Sequence, residues 1–201
     1  MQGLRLTRGE ALLRGALAAG AAYGLPAITP YVRTALAAGE EDEEVRALNL
    51  ALSFELIERK FYEEAKKRLK PTGSLGQMID LLAEDERQHI EALTAQIEKL
   101  GGTPEPEGEY AFSYIDAYEA LRHLRDIEYA GLRAYNGAIP SVKSEEALKL
   151  MASIAQIEGR HVAAVRMERG GTPAPLAFDP GQSNFQARSS VVKFTGGWEA
   201  Q

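Results

Sequence analysis

The chain has 201 residues, enough for one domain with its own core and short for two of ordinary size. Its 23 Lys and Arg against 29 Asp and Glu leave a net charge of −6, which argues against a nucleic-acid backbone or an anionic membrane surface as the main partner. No cysteine is present, which removes disulfides, thiolate zinc sites, iron–sulfur clusters and a cysteine nucleophile, so any metal must be held by oxygen and imidazole.

Residues 1–37 read as an export signal in outline. Arg5, Arg8 and Arg14 come first, an uncharged stretch runs from Gly15 to Val32, and Ala35-Leu36-Ala37 supplies the small-x-small pattern that signal peptidases cut. The Ala- and Gly-rich, weakly apolar stretch and Arg33 resemble a twin-arginine signal, although Thr7-Arg8-Gly9 has a single Arg. An uncleaved N-terminal helix is the alternative. A membrane anchor is disfavoured because Pro26 and Pro30 interrupt a run barely long enough to span. A working leader implies a periplasmic or other extracytoplasmic protein, and without one the chain stays in the cytoplasm.

The next segment predicts four helices in residues 41–171. From about Glu41 to Lys70, Val45, Leu48, Leu52, Leu56, Ile57, Phe61 and Ala65 recur at helical steps. The turn "KPTGS" ends this helix, and Ser74 with Gln77 predicts a capping box for a second, running to Leu100. Ser113 with Asp116 predicts the start of a third, which continues to Gly137 and Pro140, and a fourth spans about Ser144 to Arg169. Short first-to-second and third-to-fourth links predict two antiparallel hairpins, joined by the longer crossover "GGTPEPEGEYAF". Residues 172–201 lack a helical period. With Leu176, Phe178, Phe185, Val191, Val192, Phe194 and Trp198 they are too apolar for a disordered tail, so an extended C-terminal strap over the bundle or over a neighbouring subunit of a homo-oligomer is expected.

The two hairpins carry one pattern twice. "EDERQHIEALTAQIEKLGGTPEP" in the second helix is answered by "AQIEGRHVAAVRMERGGTPAP" in the fourth, aligning Glu86-x-x-His89 with Glu158-x-x-His161. Upstream, Glu55 stands seven residues before Tyr62 and Glu128 seven before Tyr135, at separations of 31 and 30 residues from Glu86 and Glu158. Residues three apart share a helix face, so each Glu-x-x-His pair can point at one ion. Four carboxylates and two imidazoles around one centre suit two divalent cations sharing bridging carboxylates. One such pair alone would read as a surface salt-bridge helix; the doubled constellation does not.

This bundle resembles the ferritin-like superfamily, and the leader together with "FELIERKFYEEA" is similar to the bacterial ferritin-like group that includes desiccation-related proteins. The resemblance implies an all-α ferritin-like four-helix bundle holding two iron or manganese ions. Glu55 and Glu128 would be terminal ligands, Glu86 and Glu158 bridging ligands, and His89 and His161 the nitrogen ligands, and these six would also carry the catalysis. It implies an oxidoreductase acting on hydrogen peroxide, dioxygen or ferrous iron. A stress- or desiccation-related binding protein whose metals only brace the fold is the alternative.

Several neighbours compete for roles. Glu58 rivals Glu55 one turn away, and the repeat favours Glu55 because the position matching Glu58 is Gly131; on that reading Glu58→Ala keeps both ions. Glu84 and Glu91 are expected on the solvated face. Tyr62 and Tyr135 are expected either as donors to carboxylates or as core tyrosines. His123 lacks a Glu partner and reads as a surface or interface residue, and Asp85 and Asp126 are candidates for orienting an imidazole.

Overall fold

The helical periodicity is realised closely in the computed structural model, which describes residues 42–192. Helix α1 (Glu43–Leu69) and α2 (Gly73–Lys99) form the first antiparallel hairpin, and α3 (Ala117–Ala138) and α4 (Glu145–Glu168) form the second across a 3-10 turn at Ile139–Ser141. A short fifth helix, α5 (Asn184–Val192), follows. The all-α, four-helix architecture is the one expected, and among the described residues no helix is long and apolar enough to cross a membrane. The export-signal reading of residues 1–37, and Phe194 and Trp198 of the tail, lie outside the described residues.

The caps differ in detail from those read off the sequence. Gly73, at φ +66° after left-handed Lys70, opens α2 from an N-cap at Thr72 that makes no side-chain hydrogen bond, so the Ser74–Gln77 box does not form. In α3 the cap moves three residues on. Asp116 accepts from the Glu119 amide and the Glu119 carboxylate accepts from the Ile115 amide, leaving Ser113 outside the helix. Ser144 caps α4 as its sequence suggests, and its amide and hydroxyl both donate to Glu44 at the head of α1.

The crossover is fastened along α1. Asn49 donates to the Thr103 carbonyl at 2.9 Å and accepts from the Glu105 amide at 2.8 Å, while Arg68, about five turns of helix beyond, donates to the Phe112 and Tyr114 carbonyls. The crossover therefore carries the chain from one end of the bundle to the other. Covered by α2, α3, the crossover and the tail, α1 is buried on nearly every side from Val45 to Ile57. Its apolar residues divide into two layers. Val45, Leu48 and Leu52 pack with Leu93, Ile97, Met151 and Ile154 near one end, and Phe61 and Ala65 pack with Ile79, Leu82, Leu124 and Val165 near the other. The middle of the bundle is left for the polar residues described below.

The tail is not extended throughout. Ser183 and Gln186 form a capping box, in which the Ser183 amide donates to the Gln186 side chain and the Ser183 hydroxyl accepts from the Gln186 amide, and this starts α5. The local Ser-x-x-Gln signal outweighs the missing helical period. The strap does lie on its own bundle: Ala187 is buried against α1 and α3, and Gln182 donates through its amide to Arg133 O and through its side chain to Ala130 O. This contact depends on Gly137, because a Cβ there would stand 1.8 Å from the Gln182 carbonyl oxygen.

Gly137→Ala is therefore expected to push the tail off α3. Overpacking against backbone costs about 1–3 kcal/mol. A lower melting temperature with faster proteolysis near Gly181, and unchanged helical circular dichroism, is the expected result; an unchanged cleavage rate would show that the tail is held elsewhere.

Candidate metal centre

Three-residue spacing turns the polar residues of each helix inward at one level. Glu55 and Glu58 come from α1, Glu86 and His89 from α2, Glu128 from α3, and Glu158 and His161 from α4. All five carboxylates are fully buried, His161 is 2% exposed and His89, at 9%, is the member of the group nearest to solvent. The six residues singled out in the sequence thus meet in one cluster, and Glu58 joins them.

The donors sort by hairpin. His89 Nδ1 lies 3.0 Å from Glu55 Oε2 and 3.0 Å from Glu86 Oε2, both within the first hairpin. In the second hairpin His161 Nδ1 lies 3.5 Å from Glu128 Oε2. Glu86 and Glu158 reach across. The other oxygen of Glu86, Oε1, is 2.9 Å from His161 Nδ1, and Glu158 Oε1 stands 3.4 Å from His89 Nδ1 and 3.7 Å from His161 Nδ1. The two rings stack at 6.0 Å between centroids. Three sets of donors come within 4.8 Å of one another: Glu55, Glu86, His89 and Glu158; Glu86, Glu128 and His161; and Glu58, Glu128 and Glu158.

Buried groups outside these sets hold them in place. Tyr62 of α1 donates to Glu128 Oε1 of α3, and Tyr135 of α3 donates to Glu55 Oε1 of α1, so the two tyrosines tie the hairpins together reciprocally. Asp85 Oδ2 lies 3.2 Å from His161 Nε2, which leaves Nδ1 directed at the carboxylates. Of the two aspartates considered, Asp85 has this role and Asp126 pairs with Arg125 on the exposed surface. Glu84 and Glu91 both bind Arg87 on the outer face, as expected of solvated residues, and His123 is half-buried on α3 outside the cluster.

Concentrated negative charge dominates the energetics. Burial, reinforced by the charges of Glu158 and Glu128, drives Glu58 well above the usual carboxylate range, and burial with the charges of Glu158 and Glu55 does the same to Glu86. Glu158 is pushed up to about 8 by burial and by Glu55. For Glu55 burial acts upward and is the largest single effect, but the hydrogen bond and charge of His89 together with the bonds from Glu86 and Tyr135 outweigh it and hold the carboxyl low. Burial alone would lower the imidazoles. The carboxylates around them win, raising His89 to about 12 and His161 further in the same direction.

Two imidazoles do not satisfy this set. Both oxygens of Glu58 and of Glu158, Glu86 Oε1, Glu128 Oε2 and His161 Nδ1 are buried without a hydrogen-bond partner. Unpaired buried carboxylates are costly, and a group of oxygen and imidazole donors aimed at common points fits divalent first-row cations. The donor chemistry and the orphaned oxygens agree in this.

Sequence reasoning passed over Glu58 because the repeat has no counterpart for it. The signal was in that same mismatch: opposite Glu58 the other hairpin carries Gly131, the one residue without a side chain to fill the space.

Comparisons with known proteins bear on the fold and the family. The profile of the Ferritin-like domain matches residues 43–170, the whole four-helix bundle and most of the chain. A solved structure of ferritin like, diiron-carboxylate proteins from Bacillus anthracis str. Ames superposes with a TM-score of 0.58 at 20% identity, covering 65% of this chain and 99% of that one. A conserved hypothetical protein from Mycobacterium tuberculosis superposes with a TM-score of 0.58 at 14% identity, covering 68% of this chain and 96% of the other. No curated protein matches by sequence. The match along the full length of the bundle shows that the chain belongs to the family of ferritin-like domains.

Proposed function

We propose that the cluster holds two iron or manganese ions and that the protein is an oxidoreductase acting on hydrogen peroxide, dioxygen or ferrous iron. The observation that carries this reading is the orphaned donor set: buried, anionic in excess, and split by hairpin around two carboxylates that face both imidazoles. Glu55 and His89 would serve one ion, Glu128 and His161 the other, with Glu86 and Glu158 bridging. The structural match to a structure described as ferritin like, diiron-carboxylate supports the two-ion reading. When bound, such a pair supplies Lewis acidity and a two-electron change shared between its members.

The chain's own residues limit what can react. Because every carboxylate is fully buried, the substrate must be very small, and approach is easiest beside His89. The apolar layers above and below exclude bulk water. Tyr62 and Tyr135 hold the two terminal carboxylates by one oxygen each, leaving the other oxygen for metal. Asp85 fixes the tautomer and direction of His161.

Elemental analysis of protein purified without chelators, with peroxide consumption assayed on the same sample, tests the reading. About two iron or manganese per chain with turnover is expected, and Glu86→Ala is expected to abolish both. Metal without turnover would instead favour ions that brace the fold, and no metal after reconstitution with either ion would end the proposal.

The tyrosines give a second prediction. Tyr62→Phe and Tyr135→Phe each remove a buried bond to a carboxylate and should weaken metal binding about 10- to 100-fold, measured by competition with a chelator. Equal affinity in both variants and wild type would assign the tyrosines to packing alone.

The pH dependence of the metal-free protein follows from the raised carboxylates. A folded value of about 8 for Glu158, above its ordinary 4.5, means that the acid form favours the fold; stability is greatest below the ordinary value and is lost as pH rises through about 8. Glu58 and Glu86 act in the same direction. The raised imidazoles contribute fully below their ordinary 6.5 and lose that contribution only as pH climbs toward about 12. Chelated protein should therefore melt roughly 5 °C or more lower near pH 9 than near pH 5. Metal binding needs ionised carboxylates, so the stabilisation by added manganese should grow over the same interval. A chelated protein that melts higher at alkaline pH would contradict the charge arrangement described.

A further inference from the structure

Among the glutamates that point into the cluster, the two-fold repeat is broken at one place. Glu55 corresponds to Glu128 and Tyr62 to Tyr135, but Glu58 corresponds to Gly131. The two residues face each other: a Cβ built on Gly131 would stand 2.4 Å from Glu58 Oε1, closer than any side chain tolerates. Glu58 is fully buried, neither of its oxygens has a hydrogen-bond partner, and both it and the flanking donors lie on one level of the bundle. Its carboxylate comes within 4.8 Å of Glu128 and Glu158.

We propose that Glu58 is a seventh ligand, supplied by the first hairpin alone, to the ion held by Glu128 and His161, and that Gly131 exists to leave room for it. The inference rests on the di-metal reading and adds to it. The donor sets show which ion is involved. The His89 side already gathers four residues, Glu55, Glu86, His89 and Glu158, whereas the His161 side gathers Glu86, Glu128 and His161. Glu58 forms a set with Glu128 and Glu158; Glu158 reaches both imidazoles, so Glu128, which serves the His161 side alone, ties Glu58 to that second, poorer set. The two ions then differ in their surroundings although the helices that hold them are built alike. A fifth carboxylate also adds negative charge beside one ion, which favours its higher oxidation state over its lower one.

Manganese(II) titration of the full-length chain, followed by the spectroscopic signal of the free ion, reads this out without any assay of turnover. Wild type should bind two ions per chain. Glu58→Gln, which keeps the shape and removes the charge, should leave the first ion unchanged and weaken the second about 10- to 100-fold. Gly131→Ala should weaken the same ion by displacing Glu58, and should cost nothing more in a Glu58→Ala background, where the space has been vacated. Melting of metal-free Glu58→Gln at or above the wild-type temperature distinguishes loss of a ligand from loss of the fold. Two ions bound by Glu58→Gln with wild-type affinity, or Gly131→Ala costs that persist without Glu58, would overturn the assignment while leaving the six-ligand site intact. Wild type that binds no manganese or iron would remove the di-metal reading itself, and this inference with it.

Discussion

Five carboxylates buried at one level of a four-helix bundle are the constraint on which the rest of the structure depends. Removing each from water is costly, and placing them beside one another adds mutual repulsion. Two imidazoles offset part of this, as the low value held for Glu55 and the high one for His89 show. The remainder requires either protons or cations. Protonation satisfies the charge and leaves the directed lone pairs idle, whereas divalent cations answer both.

The surrounding chain is arranged to tolerate that concentration of charge. The two apolar layers close the bundle above and below, so the repulsion acts against Phe61, Ile79 and Leu124 on one side and Leu48, Leu93 and Met151 on the other. Tyr62 and Tyr135 cross between α1 and α3 in opposite directions, which fixes the hairpins at the spacing the donors need. The crossover, bound by Asn49 and Arg68, and the tail, bound at Gln182, close the outer side of the same two helices. Contacts far from the cluster therefore restrain the pair of helices that carries Glu55, Glu58 and Glu128.

Much of this was legible in the sequence, and for a definable reason. The doubled Glu-x-x-His, the upstream Glu at matching separation and the paired GGTP stops are periodic features, and periodicity survives the projection from three dimensions to one. The capping residues were less legible because several Ser, Thr and Asp lie near each helix start. At α3 Asp116 accepts from the Glu119 amide and Glu119 reaches back one residue further, to the Ile115 amide, while Ser113 paired with Asp116 only resembled a capping box. Asp85 could not be separated from Asp126 since both precede or follow a ligand closely, and only the packing of α2 on α4 brings one of them to an imidazole. Symmetry picked out six residues of the cluster, and Glu58, which packs among them, was set aside because it has no counterpart.

Breaking the symmetry has a chemical meaning that the symmetric set lacks. Oxygen and imidazole ligands accept iron and manganese alike, so ligand type alone does not choose between them. Geometry and charge do, and in this bundle they differ between two positions a few residues apart. If each hairpin supplied the same donors, the two ions would share one affinity and one potential, and would fill and react together. With Glu58 on one side and Gly131 opposite it, one further buried carboxylate stands beside Glu128, while the side of His89 lies nearer to solvent. Were ions bound as proposed, one would lie nearer to solvent and the other beside the additional carboxylate, and the Glu-for-Gly difference between α1 and α3 would help to set them apart.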